Sequence, residues 1–348
     1  MEHRHPVSEH PTRTVLVKAR ISRARWTWLA VGLGGIAALF VIRSLTAETV
    51  DAGLPNQLQD LLTLAISVIV ESMPFVILGI LLSIVVQVWV PDTWIVKLLP
   101  KNRFARRAVI SFLGMFLPVC ECGNVPLARG LMVKGFTVSE SMTFLLAAPI
   151  LNPITIITTH AAFGWDGWIL AGRLIGGFVI ANLIGWLYSR HPDQHSLLTP
   201  RFAAECRVSP SHDHGSKWSE SVTLFVRETS VIMPALFLGS VVAGAIQVLV
   251  PRALLVTLGS NPLWSILAML LLAFVISVCS NVDAFFILPF ASTFLPGSIV
   301  AFLVFGPIID IKMLALLRTT FTTRTIVQLT IVVALLSALL GLVVNYVA

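Results

Sequence analysis

This chain carries one apolar pattern twice. Met73-Pro74, Leu78-Gly79, Gln87-Val88 and Val90-Pro91 return 160 residues later as Met233-Pro234, Leu238-Gly239, Gln247-Val248 and Val250-Pro251. Cys122-Gly-Asn124-Val125 returns as Cys279-Ser-Asn281-Val282, and Pro149-Ile150-Leu-Asn152 as Pro307-Ile308-Ile-Asp310. Three motifs in one order, at shifts of 157 to 160 residues, mark a duplicated unit. Duplicated membrane halves whose apolar segments are interrupted by small and polar residues are typical of secondary transporters, which hold substrate at the repeat interface.

The composition fits a membrane protein. Of the 348 residues, 56% are hydrophobic and 12% charged, whereas a soluble domain carries roughly 25% charged residues. Apolar runs near the ~20 residues needed to cross a bilayer as a helix recur along the chain, and the alternation of a β-barrel is absent. The expected class is an all-α polytopic membrane protein. The net charge of +7 does not point to nucleic acid; the basic residues sit at helix ends and in loops, where they orient the chain in the bilayer. Cys120, Cys122, Cys206 and Cys279 form no secreted disulfide pattern. With no phosphate-binding loop, metalloprotease helix or nucleophile elbow, the chain reads as a permease rather than an enzyme, and no cofactor or resident metal is expected.

The segments divide into four regions. Residues 1–57 hold a basic N-terminus, an apolar run from Trp26 to Ile42 and an acidic loop with Glu48 and Asp51. A cleaved signal and an uncleaved first span both fit this run; an extra N-terminal span with a cytoplasmic N-terminus is the reading adopted here. Residues 58–189 form the first repeat, 190–219 a polar cytoplasmic linker and 220–348 the second repeat. Segments 139–160 and 298–317 read as continuous spans. Segments 108–134 and 263–296 are broken at Cys-Glu-Cys-Gly-Asn-Val-Pro and at Cys279-Ser-Asn-Val-Asp283. The pieces around the first break are too short to cross alone, so either one bent helix crosses or two half-helices form a re-entrant hairpin. Arg106 and Arg107 before the break and Lys134 after it favour the hairpin. Each half then crosses three times and the second repeat must be inverted. That scheme puts the linker and the Lys312/Arg318/Arg324 cluster inside, and Asp166 and the acidic loop outside. Arg173 and Arg227 fit it less well, and are expected to snorkel or to pair with a carboxylate.

Three constellations carry chemistry. Non-helical backbone at membrane depth persists only where protein buries it or a cavity is lined by it. Gly123 and Pro126 make the first break a place for such backbone. Thiolates favour soft, thiophilic species, so Cys120 and Cys122, joined by Cys279 if the two breaks meet, form a candidate site for a trivalent arsenical or a soft metal ion. Carboxylates in apolar sequence are functional candidates because insertion of each costs at least ~2.5–3.5 kcal/mol. Glu121, Asp283 and Glu71 are assigned to proton or cation coupling, with pairing to Arg129, Arg173 or Arg227 as the structural alternative. Asn124, Asn281, Asn152 and Asp310 are assigned to the substrate site, because their duplication lifts them above ordinary interhelical hydrogen-bonding residues.

Glu71-Ser-Met-Pro-Phe-Val-Ile-Leu-Gly79, Pro118-Val-Cys-Glu-Cys-Gly-Asn-Val-Pro-Leu-Ala-Arg-Gly130, Lys134-Gly135 and Ala148-Pro-Ile-Leu-Asn-Pro153 resemble the bacterial permease family (UPF0718) that contains the ArsP organoarsenical exporters and the YraQ-type predicted permeases. The likeness spans roughly residues 58–345. It implies a multi-pass permease of the bacterial cell membrane with a duplicated helical architecture. In the arsenical-exporting members, trivalent organoarsenicals engage membrane cysteines, and the matching positions are Cys120 and Cys122. Cys279-Ser280 stands where a symmetric thiol pair would need a second Cys-x-Cys. The expected activity is secondary transport, as an exporter, of a small molecule or ion; a metal or anion permease and a membrane thiol-redox protein are the alternatives. The lipid bilayer is the expected partner, and a partner subunit or a homo-oligomer is compatible with the pattern.

Overall fold

The computed structural model describes residues 30, 32–41, 56–91, 99–116, 119–165, 168–207, 216–249 and 262–347. Most of the basic N-terminus, the acidic loop, Lys97, Asp166, His212, His214 and Arg252 lie outside the described residues, as does residue 118 of the family-like stretch. Apart from one isolated bridge between Leu198 and Phe321, the described residues form no β-structure.

A short apolar helix, α1 (Gly32–Val41), comes first. The first half then runs through α2 (Gln57–Trp89), α3 (Arg103–Ser111), α4 (Glu121–Val133), α5 (Val138–Ala147), α6 (Pro153–Phe163) and α7 (Trp168–Ser189). A linker helix, α8 (Pro200–Arg207), follows. The second half runs through α9 (Lys217–Leu249), α10 (Pro262–Ile276), α11 (Asp283–Ile287), α12 (Pro296–Phe305), α13 (Ile311–Leu317) and α14 (Thr323–Val347). The order is therefore the same in both halves: a long helix, two short helices around a first break, two more around a second break, and a long helix. Among the described residues four helices, α2, α7, α9 and α14, are long and apolar enough to cross a membrane.

Packing separates the two kinds of helix. Every residue of α5 is buried, as is nearly all of α4 and of α12; α12 is apolar almost all round, as a buried helix is, whereas α4 and α5 bury polar residues that need partners inside the protein. The long helices keep broad apolar faces outward; Leu335, Leu339 and Tyr346 of α14 are exposed. Local chemistry sets the starts of the inner helices. Thr137 and Glu140 form a capping box at α5. Asn152 caps α6 ahead of Pro153, and Asp310 caps α13. Pro74 and Pro234 lie inside α2 and α9, where neighbouring helices can satisfy the freed carbonyls. Glycine allows a close approach here: a Cβ on Gly79 of α2 would stand 2.1 Å from the Gly123 carbonyl oxygen of α4.

Contacts also repeat between the halves. Arg106 of α3 pairs with Glu140 of α5 at 2.7 Å, and Ser265 of α10 bonds Ser298 of α12 at 2.8 Å. The Ser139 amide donates to Gln194 beyond α7, and the Gly297 amide donates to Asn345 near the end of α14. α4 packs on α13 while α11 packs on α6, a reciprocal exchange, and α2 packs along α9. The linker at Leu197–Thr199 bonds to Thr320–Thr322 at the start of α14.

Three sequence expectations change. Segments 139–160 and 298–317 are not continuous: each is broken, at 148–152 and 306–310, because Pro149 and Pro307 disturb the helical bonding while Asn152 and Asp310 start new helices. The Cys-Gly-Asn-Val-Pro run is helical, not unwound. α4 begins at Glu121, so extended backbone falls at Cys120, and Gly123 provides close packing rather than unusual angles. Lys312 is not in a solvated cluster but in the core, 1% exposed.

Candidate functional site

The first breaks of the two halves meet, and α13 from the second break of the second half joins them. Cys120 is the extended residue capping α4, and its carbonyl accepts from the Gly123 and Asn124 amides. The Cys279 carbonyl accepts in the same way from Val282 and Asp283 at the start of α11. A cysteine carbonyl thus takes the same pair of amide bonds at both breaks, with Cys120 as the cap of α4 and Cys279 in the turn that leads into α11. One turn of α4 brings Glu121 to the same end, while Lys312 stands two residues past the Asp310 cap of α13.

Glu121 organises the group. One carboxylate oxygen accepts from Lys312 Nζ at 3.2 Å. The other accepts from Ser280 Oγ at 3.0 Å, from the Ser280 amide at 3.4 Å and from the Cys279 thiol at 3.7 Å. Lys312 Nζ also lies 3.9 Å from Asp310 Oδ2, which accepts no hydrogen bond. Cys120 Sγ lies within 4.8 Å of Cys279 Sγ. Cys122 touches Ser72 Oγ of α2 at 3.7 Å, and Glu71 is the chain neighbour of Ser72. Donor atoms of Cys120, Glu121 and Cys279 all lie within 4.8 Å of one another, and all three residues are buried. Two sulfurs and a carboxylate oxygen at that spacing form a soft donor set.

The remaining expected residues lie around this group. Asn152 caps α6 and donates to the Val119 carbonyl, tying the second break to the first. Asn124 is fully buried and neither amide atom has a partner; Asn281 Oδ1 is likewise unpartnered. A wholly orphaned buried amide is unusual in a folded interior, and Asn124 shares the Glu121 face of α4 through i,i+3 spacing. Asp283 stands apart from the sulfurs. It takes a two-pronged ion pair from Arg173, at 2.6 and 2.9 Å, and Arg173 also bonds Thr159. The Ser280 carbonyl accepts from Arg173 at 3.5 Å, so the loop of the second break is held between both charged groups.

Lys312 and Ser280 were not among the expected site residues. Lys312 had a sequence signal, an ionisable residue in an apolar run; Ser280 had none beyond its place in the motif. Farther along α4, Arg129 stacks on Phe202 at 4.1 Å and bonds Glu228 at 2.9 Å, Glu205 at 3.3 Å and the Thr319 carbonyl at 3.0 Å. Arg227 joins the same network through Glu228. This joins α4, the linker helix, α9 and the end of α13.

A family model described as a predicted permease, ArsP_1, matches residues 57–346. The "Putative two-component membrane permease complex subunit" of Streptococcus mutans serotype c is 35% identical over 79% of this chain and 91% of its own length. The "UPF0718 protein YcgR" of Bacillus subtilis is 35% identical over 74% of this chain and 88% of its own length. The "UPF0718 protein YraQ" of Escherichia coli K12 is 26% identical over 51% of this chain and 50% of its own length. No solved structure matches it.

Proposed function

The chain belongs to the ArsP_1 family of predicted permeases, and from that premise we propose that it is a secondary transporter, working as an exporter, whose substrate passes the junction of Cys120, Cys122, Cys279, Glu121 and Lys312. One observation carries the reading: breaks from both halves deliver thiols, a carboxylate and an ammonium to a single buried point. Broken helices facing one another at a repeat interface are how many transporters build such a site. A group of thiols selects thiophilic solutes. The substrate class is therefore a trivalent organoarsenical or a soft metal ion.

Two inverted-topology repeats with re-entrant hairpins account for the repeated contacts. The Arg106–Glu140 pair draws together the two flanks of the first hairpin, and Ser265–Ser298 those of the second. The first mouth is tied through Gln194 to the linker, which meets the start of α14; the second is tied to Asn345 near its end. The 25 residues of α14 span about 37 Å, so the mouths open on opposite faces. With the basic flanks of the first mouth inside, the N-terminus is cytoplasmic and the linker lies inside. The name of the streptococcal relative as a complex subunit supports assembly with a second polypeptide.

The test is uptake of methylarsenite into everted vesicles and resistance in a sensitised bacterial host, each with and without the chain. Expression should raise both, an uncoupler should abolish uptake, and Cys122→Ser or Cys279→Ser should reduce both. Full activity in the two serine variants would overturn the thiol site.

A further inference from the structure

The group around Glu121 holds more negative than positive formal charge. Glu121 and Asp310 face one ammonium, Lys312. Asp283 does not share that ammonium, since Arg173 neutralises it. An apolar interior makes such an excess costly to enlarge, which excludes anionic solutes and admits a cation whose entry leaves the charge as it was. The three donor atoms that approach most closely, on Cys120, Glu121 and Cys279, lie within 4.8 Å of one another. Two thiolates about 2.3 Å from a tetrahedral ion sit roughly 3.8 Å apart, so the set closes on one ion with a small adjustment. Glu121 is engaged by Lys312, however, and Asp310 Oδ2 lies 3.9 Å from the same ammonium with no hydrogen bond of its own.

We propose that Lys312 is a tethered cation occupying a divalent-cation site made by Cys120, Glu121 and Cys279, and that a soft or borderline ion of the zinc and cadmium type enters as Lys312 passes from Glu121 to Asp310. This rests on the transport reading above and narrows its substrate to a cation. Movement of the ammonium by about 1 Å completes a charge-assisted hydrogen bond to Asp310. The freed carboxylate then ligates the ion. Cys120 and Cys279 bind as thiolates, each losing its proton. One divalent ion enters and two protons leave, so the net charge of the buried group does not change on loading. Asn124, fully buried with both amide atoms unpartnered, lies on the Glu121 face of α4 and leaves polar atoms unused beside the site.

The experiment is titration of the purified full-length protein with Cd2+, read by the ultraviolet cadmium–thiolate band and by equilibrium dialysis. One ion per chain is expected. Cys279→Ser and Glu121→Gln should each weaken binding at least about tenfold, and Lys312→Met, which removes the competing charge, should tighten it about tenfold. Lys312→Met strands two buried carboxylates, so it is prepared with and without Cd2+, and the ion should restore its folding. The paired variant Glu121→Gln/Lys312→Met keeps the charge balance; it should fold without Cd2+ and bind at least about tenfold more weakly than the unmodified chain. No band in the unmodified chain, binding indifferent to Glu121→Gln, or Cd2+ that fails to restore Lys312→Met overturns the proposal. If methylarsenite transport needs Cys279 while Cd2+ does not bind, the cation proposal falls and the thiol site stands. If neither depends on Cys279, both fall.

Discussion

Arg129 and Cys206 show how burial changes the behaviour of single side chains in the linker region. Arg129 is 2% exposed and its guanidinium is shared by Glu228, Glu205 and the Thr319 carbonyl. Removing one partner of a buried ion pair strands the other, so Arg129→Ala should cost about 3–5 kcal/mol, measured as a loss of detergent-phase unfolding stability. Arg129→Lys should recover only part of it, because an ammonium cannot reproduce the fork. Cys206 sits in the linker helix beside this network, and burial pushes its thiol up to about 11 against the ordinary 9.0. Its thiolate fraction at pH 8 is then about 100-fold below that of an ordinary cysteine, and alkylation by iodoacetamide should be slower by a similar factor. The unfolded chain ionises this thiol near pH 9 and the folded chain near pH 11, so its contribution to stability is complete below pH 9 and disappears as pH rises to 11. Cysteine positions were visible in the sequence, but their partners were not. The repeat motif aligns Cys122 with Cys279, whereas in the fold it is the Cys120 and Cys279 carbonyls that accept the equivalent pairs of amide bonds, Cys120 as the cap of α4 and Cys279 four residues before α11. Lys312 stands in an apolar run but read as an orientation charge beside Arg318 and Arg324; its burial and its pairing with Glu121 separate it from them.

At the scale of elements, the inner half-helices depend on backbone contact with the long ones. Gly79 and Gly123 bring α2 against α4 so closely that either Cβ would strike a carbonyl oxygen, at 2.1 and 2.3 Å. Backbone cannot yield as a flexible side chain does. Gly79→Ala should therefore cost at least about 1–3 kcal/mol and disturb the Cys120–Glu121 end of α4. Gly34→Ala in α1, where nothing lies within 4 Å of the added carbon, should be neutral or slightly stabilising. Melting of the detergent-solubilised variants separates the two cases, and equal losses would contradict the packing argument. The long apolar segments were legible in the sequence, and the first break to within a few residues, since extended backbone falls at Cys120, just ahead of the charge and glycine that marked it. The second breaks were not. Pro149, Pro153 and Pro307 are compatible with a kinked continuous span, and only the capping bonds of Asn152 and Asp310 turn each kink into two helices.

The whole molecule follows from the duplication, which the sequence did display: two halves with one element order and the same internal contacts, Arg106–Glu140 echoed by Ser265–Ser298 and Ser139–Gln194 by Gly297–Asn345. What the sequence could not supply was the interface, because α4 packing on α13 and α11 on α6 joins residues far apart in the chain. That interface fixes a testable arrangement of faces. Gly135, Thr137 and Cys206 line one cavity of about 360 Å³, so positions 135 and 205 share a face. Thr320 bonds to the linker at Thr199 and belongs with them. The opposite end of α14, at Asn345, bonds to Gly297. Reporter fusions at 135, 205 and 320 should all be cytoplasmic, and fusions at 295 and 347 external. If 295 reported the same face as 135, the hairpins would open together, no inversion would relate the halves, and alternating access through their shared thiol and carboxylate group would lose its geometric basis.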